Sequence, residues 1–275
     1  LVLARPPGHH AEPDAALGFC LYNNALIGVA HAQAAHGVGR CAILDFDVHQ
    51  GNGNAAMCWD DPTRLYASTH ERGIFPCGVS AYAETPNPSV LNRPLSAGAG
   101  SAEFRRAWTE LLEAVDRFEP DAIFLSAGFD ALLEDPLAQC RLQPQDYVRV
   151  GRATKDAAET LGVPVVLGLE GGYSTQVGES FAQSIRPWLG DDADVVEVEA
   201  PPKLARRVEV CDSNQLPEPG ALRCVSTKHG PLTIATTSDG TAYALQRRLP
   251  PFGLSTRDYG CLLYTSDAAD EGLGV

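Results

Sequence analysis

The chain has 275 residues, is 44% hydrophobic and carries a formal net charge of −14. That leaves room for one α/β domain and an appendage, and the charge excludes a nucleic-acid groove, in which Lys and Arg predominate. No apolar run nears the roughly 20 residues that cross a bilayer. Eight cysteines with no C-x-x-C spacing point to reduced thiols in a cytoplasmic protein rather than to a disulfide framework or zinc ribbon. In chain order, "LVLA" at residues 1–4 reads as a strand with no initiator Met before it, so an N-terminal part of the domain is expected to precede it. Strands follow at "CAILDF" (41–46), "RLYAST" (64–69), "DAIFLSA" (121–127) and "PVVLGLE" (164–170), each continuously apolar, as burial on both faces requires. Helical patterns span residues 23–37, 101–118, 145–161 and 175–189. This alternation predicts a parallel sheet with helices on both faces. The acidic run "DDADVVEVE" (191–199) opens a solvated linker over residues 191–206.

In such a sheet the ligand site lies beyond the carboxyl ends of the strands. The chemically active residues fall there: "RPPGHH" after the first strand, "DVHQGNG" after the second, "GFDALLEDP" after 121–127 and "GGY" after 164–169. Asp45, Asp47 and His49 alternate, so in an extended chain they leave one face together. A catalytic zinc takes three protein ligands and keeps an open position. Asp47, His49 and Asp130 supply that set, although any one alone would read as a satisfied core residue. Two carboxylates and one imidazole would also accept Fe(II) or Co(II). Asp45 sits a step deeper and is expected to orient another group.

The tandem His9 and His10 follow a Pro-Pro-Gly turn. In isolation they read as a polar loop; beside a metal, one imidazole suits proton transfer from water. A ring backed by Asp45 is biased toward its charged form, whereas one backed by neutral Asn52 deprotonates more easily and is the better base. Tyr173, after "EGG", either anchors its loop or donates to a developing oxyanion.

Taken together, "RPPGHHA", "GFCLYNN", "DFDVHQGNG", "SAGFDALLEDPL" and "LEGGYS" resemble, in order, the zinc-dependent histone deacetylase superfamily, which includes bacterial acetylpolyamine amidohydrolases and acetoin-utilisation proteins. The resemblance covers Arg5 to about Gly190 and implies an arginase/deacetylase-like fold over residues 1–190. It implies zinc on Asp47, His49 and Asp130, His10 with Asn52 as general base and acid, His9 with Asp45 as electrostatic partner, and Tyr173 polarising the scissile carbonyl. Gly18, Phe19, Phe75, Leu137 and Gly172 would line an acyl-lysine tunnel. A structural potassium ion would be held by Asp45 with oxygens of Asp47, His49, Ser68 and Thr69.

Gln50 stands where many members have a second His, and Asn52 where class I members have Asp. "GFDALLEDPL" resembles class II and bacterial deacetylases more than the polyamine enzymes. The expected activity is hydrolysis of acetyl or other acyl groups from lysine side chains, with an acetylpolyamine amidohydrolase or an inactive acyl-lysine-binding fragment as the rivals. A binuclear arginase site is excluded because Gly51 and Gly128 stand where it needs carboxylates. Residues 207–260 resemble part of a Rieske-like domain but carry Leu249, Pro250 and Pro251 where cluster ligands would stand, which predicts a small β appendage without iron. Residues 261–275, "CLLYTSDAADEGLGV", resemble the translation of a sequencing adaptor and are expected to lie outside any fold.

Overall fold

A computed structural model describes residues 1–191 except residue 84, and beyond them the backbone of a few strands between residues 222 and 255. Two compact units result: Leu1–Arg72 with Pro76–Lys203, and Gly73–Phe75 with Leu204–Val275. The first contains a five-stranded, wholly parallel sheet. Its strands are β1 (Cys41–Asp45), β2 (Arg64–Glu71), β3 (Val90–Leu95), β4 (Ala122–Ala127) and β5 (Val165–Leu169), in the order β3-β2-β1-β4-β5. Val2 extends it beyond β5 through a parallel bridge to Gly168, so the apolar start of the chain does run alongside the sheet.

Helices cover both faces. On one lie α1 (Asn24–His36) and α2 (Asn52–Cys58), which bury Leu26, Val29, Ala55 and Cys58 against Cys41, Ile43, Tyr66 and Phe124. The other face carries α3 (Ser101–Phe118) and α4 (Asp146–Leu161), followed by α5 (Val177–Ile185). There Phe46 packs edge-on against both Trp108 and Phe129, and Tyr147 leans on Phe129 at 4.8 Å. The buried positions of α3, Phe104, Ala107, Trp108, Leu111 and Val115, recur every three or four residues, which is the stripe that seats a helix on a sheet. The central strands β1 and β4 are buried at every position, whereas β5 is only partly covered.

Two elements escaped the sequence reading. β3, "VLNRPL", mixes Asn, Arg and Pro with apolar residues because it is an edge strand, where proline costs no ladder bond on its open side. α2 begins inside "QGNGN", where the glycine and asparagines read as a loop. The pattern at 175–189 resolves into α5 and a 3₁₀ turn at Arg186–Leu189 containing Pro187, whose missing N–H and fixed φ stop an α-helix.

In the second unit, β6 (Leu222–Thr227), β7 (Gly230–Thr236) and β8 (Ala242–Gln246) form an antiparallel meander, and β9 (Arg248–Leu249) pairs with β10 (Leu254–Ser255). Residues 192–206 of the expected linker and the adaptor-like tail at 261–275 lie outside the described residues.

Candidate active site

The extended run expected to present Asp45, Asp47 and His49 on one face ends at Asp45, the last residue of β1. Residues 47–49 bend, and each bend is closed by the preceding acid. Asp47 N–H donates to Asp45 Oδ1 at 3.0 Å, and His49 N–H donates to Asp47 Oδ1 at 2.9 Å. The bends separate Asp45, which faces the histidine loop, from Asp47 and His49, which turn toward the end of β4. There Asp130 Oδ1 accepts from Val48 N–H at 2.8 Å, and its Oδ2 lies 3.0 Å from His49 Nδ1. His49 Nδ1 is also 3.1 Å from Asp47 Oδ1. The ligand atoms of Asp47, His49 and Asp130 all lie within 4.8 Å of one another, and all three residues are buried.

Burial opposes ionisation of Asp47, but His9 and His49 hold its carboxylate well below the usual range. Burial and the charge of Asp47 push Asp130 the other way. Two buried acids facing one imidazole make a donor set suited to a divalent cation, and the backbone is shaped around them. Gly171 N–H donates to Asp47 Oδ2 at 2.7 Å, and a Cβ at Gly171 would run into the carboxylates of Asp130 and Asp47. A Cβ at Gly128 would overlap Asp47, and one at Gly51 would meet Asp45 Oδ2 at 2.7 Å. Space as well as residue type therefore excludes the extra carboxylates of a binuclear centre.

His9 and His10 lie side by side with ring centroids 4.0 Å apart and planes tilted at 45°, and each has its own support. His9 Nδ1 donates to Asp45 Oδ2 at 3.0 Å. Burial works against charge on His9, but Asp47, Asp45 and Glu170 outweigh it and raise the ring to about 10. His10 Nδ1 faces Asn52 Oδ1 at 2.7 Å. Asn52 Nδ2 is occupied in donating to the His10 carbonyl at 3.2 Å and to Glu12 Oε1 at 2.7 Å, so its oxygen must be the acceptor. His10 Nδ1 then carries the proton and Nε2 is left with a lone pair. Burial and the neighbouring His9 and His49 rings press His10 well below the usual histidine range.

The scaffold behind these groups was not legible as function. Glu170, the Glu of "LEGGYS", receives Gly8 N–H at 2.6 Å and His9 N–H at 3.1 Å on one oxygen, and Ser126 Oγ at 3.0 Å on the other. It fixes the backbone that carries the histidine pair. Tyr66 Oη donates to Asp45 Oδ2 at 2.9 Å and accepts from Gly51 N–H at 2.7 Å. Asn54 Nδ2 reaches Ser126 Oγ at 3.1 Å and Asp45 Oδ2 at 3.4 Å. The Asn23 side chain caps α1 through Leu26 N–H at 2.9 Å and donates to Asn54 Oδ1 at 2.9 Å. A buried Asn, Tyr or Glu looks the same in sequence whether it packs a core or aims a histidine.

Tyr173 follows Gly172, whose φ of 122° only glycine adopts readily. Its backbone N–H donates to Asp135 Oδ2 at 2.8 Å, and the Arg5 guanidinium lies 5.7 Å from its ring centre while bonding the Gly172 carbonyl at 3.0 Å. Phe19 stands edge-on to Tyr173 at 6.0 Å, is 42% exposed, and holds φ 66° beside Gly18 at φ 52°. A bulky side chain in the left-handed region is strained, and such strain collects at functional sites. Leu137 is partly buried, and its N–H donates to the other oxygen of Asp135 at 2.9 Å. Ser68 pairs in register with Asp45, and the buried Thr69 hydroxyl has no hydrogen-bond partner. Phe75 groups with the second unit, and its expected place in a tunnel wall rests on sequence alone.

Residues 1–186 match the histone deacetylase domain. Histone deacetylase 14 of Arabidopsis thaliana is 38% identical over 209 residues, covering 74% of this chain and 49% of that protein. The histone deacetylase-like amidohydrolase of Pseudomonas aeruginosa is 40% identical over 178 residues, 62% of this chain and 47% of the relative. Among solved structures, the HDA15 HD domain superposes with a TM-score of 0.62 at 35% identity, covering 70% of this chain and 56% of that one. The acetylpolyamine aminohydrolase of Burkholderia pseudomallei gives 0.59 at 34% identity, covering 68% and 54%. The chain thus spans about half the length of the curated relatives it matches.

Proposed function

Since the chain belongs to the histone deacetylase domain family, we propose that it hydrolyses acetyl or other acyl groups from the amine of lysine side chains. The observation that carries this reading is the meeting, at the ends of β1, β4 and β5, of a three-donor cluster with two differently supported histidines. Asp47, His49 and Asp130 would hold one divalent ion, zinc for preference, with Fe(II) or Co(II) acceptable to the same donors. When bound, that ion supplies Lewis acidity toward an amide carbonyl and toward water.

The side chains divide the remaining work. His10, whose Nδ1 is held by Asn52 so that Nε2 is the basic nitrogen, takes a proton from the attacking water and delivers it to the departing amine. His9, kept charged by Asp45 and its acidic neighbours, supplies positive potential. Tyr173 donates a hydrogen bond from its phenol O–H to the carbonyl oxygen as negative charge grows there. Gly18, Phe19, Leu137 and Gly172 are assigned to the acyl-lysine channel; the edge-on Phe19–Tyr173 pair supports this. A potassium ion is assigned to Asp45 with oxygens of Asp47, His49, Ser68 and Thr69, supported by the Asp45–Ser68 register and the unpartnered Thr69 hydroxyl.

The substrate is then an acylated lysine in a protein or peptide, or a small acylated amine. The relatives include a human polyamine deacetylase, so N-acetylated polyamines are the competing class. A cytoplasmic setting is proposed on Cys20, Cys41, Cys58, Cys77 and Cys140, which are reduced thiols rather than disulfides. No helix among the described residues is long and apolar enough to cross a membrane. The test is acetate release from an acetyl-lysine peptide and from an acetylated polyamine by zinc-loaded protein. Turnover of the peptide that is lost in Asp130→Ala is expected. Folded, metal-loaded protein that releases acetate from neither substrate overturns the proposal.

A further inference from the structure

The far end of α1 carries two histidines that the active site does not use. His31 lies in the penultimate turn, and His36 is the last helical residue before Gly37, which caps the helix in the left-handed conformation at φ 69°. Five residues apart on an α-helix, their Cβ atoms point about 140° away from each other. The side chains nevertheless close this gap. Their Nε2 atoms are 3.3 Å apart and their rings meet at 75° with centroids 5.1 Å apart. Both side chains are exposed, whereas His9, His10, His49 and His70 are buried.

An imidazole nitrogen binds a zinc-like ion at about 2.0–2.1 Å. Two such nitrogens on one ion are therefore about 3.0 Å apart at a right angle and about 3.4 Å apart at the tetrahedral angle. The observed separation falls between these values, and it is longer than the usual 2.7–3.2 Å of an N–H hydrogen bond. We propose that His31 and His36 form a second, exchangeable site for a late first-row divalent cation, Ni2+, Cu2+ or Zn2+, bound by the two Nε2 atoms with water completing the shell. Imidazole-only coordination selects these ions over Mg2+ and Ca2+, which prefer oxygen. The site is separate from the buried triad and does not depend on the activity proposed above. Occupancy ties the last turn of α1 to the turn before it, at the point where a helix otherwise frays.

Immobilised Ni2+ tests this on the untagged full chain, because a resin-bound ion reaches exposed imidazoles but not the buried triad. The parent protein is expected to be retained and to be released by acid, since both rings must be neutral to bind. His31→Ala and His36→Ala are each expected to weaken binding on the order of a hundredfold, the gain that a second tethered ligand gives. The double variant should lose little more. Both positions are solvent-exposed, so the variants retain their fold, which circular dichroism checks. Failure of the parent to bind, equal retention of either single variant, or retention that disappears instead with His229→Ala would each overturn the proposal.

Discussion

Asp135 accepts the backbone N–H of Tyr173 at 2.8 Å, from a loop 38 residues away in sequence. Its other oxygen takes the N–H of Leu137 at 2.9 Å. One buried carboxylate thus sets both the loop that presents the phenol and the loop assigned to the channel wall. Asp135→Asn keeps the shape but turns an NH2 group toward one of the two N–H donors. A displacement of about 1 Å costs on the order of 10²-fold in rate. We expect kcat to fall by about that factor with metal content unchanged, as steady-state kinetics with metal analysis would show; an unaltered kcat contradicts the positioning role.

Tyr173→Phe removes a single donor. Turnover of an acetyl-lysine peptide should fall by ~10²–10³ while bound metal and inhibitor affinity stay at parental values. Parental turnover by the Phe variant is incompatible with the assigned role.

The two histidines should separate. His10→Ala deletes the proposed base and is expected to be at least as damaging as Tyr173→Phe. His9→Ala leaves Asn52 and His10 in place and should cost less. Single-turnover rates on metal-loaded protein give the comparison, and the reverse order would exchange the two assignments.

Gly171→Ala places a methyl against both Asp47 and Asp130 and should abolish high-affinity metal binding, read as metal per chain after dialysis. Gly178→Ala is the contrast. Gly178 lies in α5 with nothing within 4 Å of an added Cβ, so the change should stabilise the protein by about 0.5–1 kcal/mol in urea unfolding and leave metal content alone.

Metal analysis of the parent should find one tightly held ion per chain at the triad. Chelation should lower the thermal midpoint, because a ligand bound to the folded state alone stabilises it by mass action. A second tight equivalent that also disappears in Asp47→Ala is inconsistent with the steric role given to Gly51 and Gly128.

The parts of the fold legible in sequence were those with a strong period or a continuous apolar run. β1, β4 and α3 are buried or striped throughout, and α3 falls at the expected residues 101–118. β3 was hidden because an edge strand tolerates Arg93 and Pro94, and α2 because its first turn is made of Asn and Gly. The candidate site was visible through residue types that few other environments explain, such as alternating acids after a buried strand and tandem histidines. Glu170, Tyr66 and Asn54 were not, because their contribution is a hydrogen bond to a partner 9 to 162 residues away, a pairing only the folded chain specifies.

Asn23 belongs to two structures at once. Its oxygen caps the start of α1, and its amide holds Asn54, which in turn touches Asp45 behind His9. The first turn of α1 therefore cannot fray without releasing that chain of contacts, and the chain cannot loosen without uncapping the helix. The amide hydrogens of the first turns of α1 and α2 should accordingly exchange with solvent as one cooperative unit. Ligands that tighten the histidine pocket should slow exchange at Leu26, a residue that touches none of them.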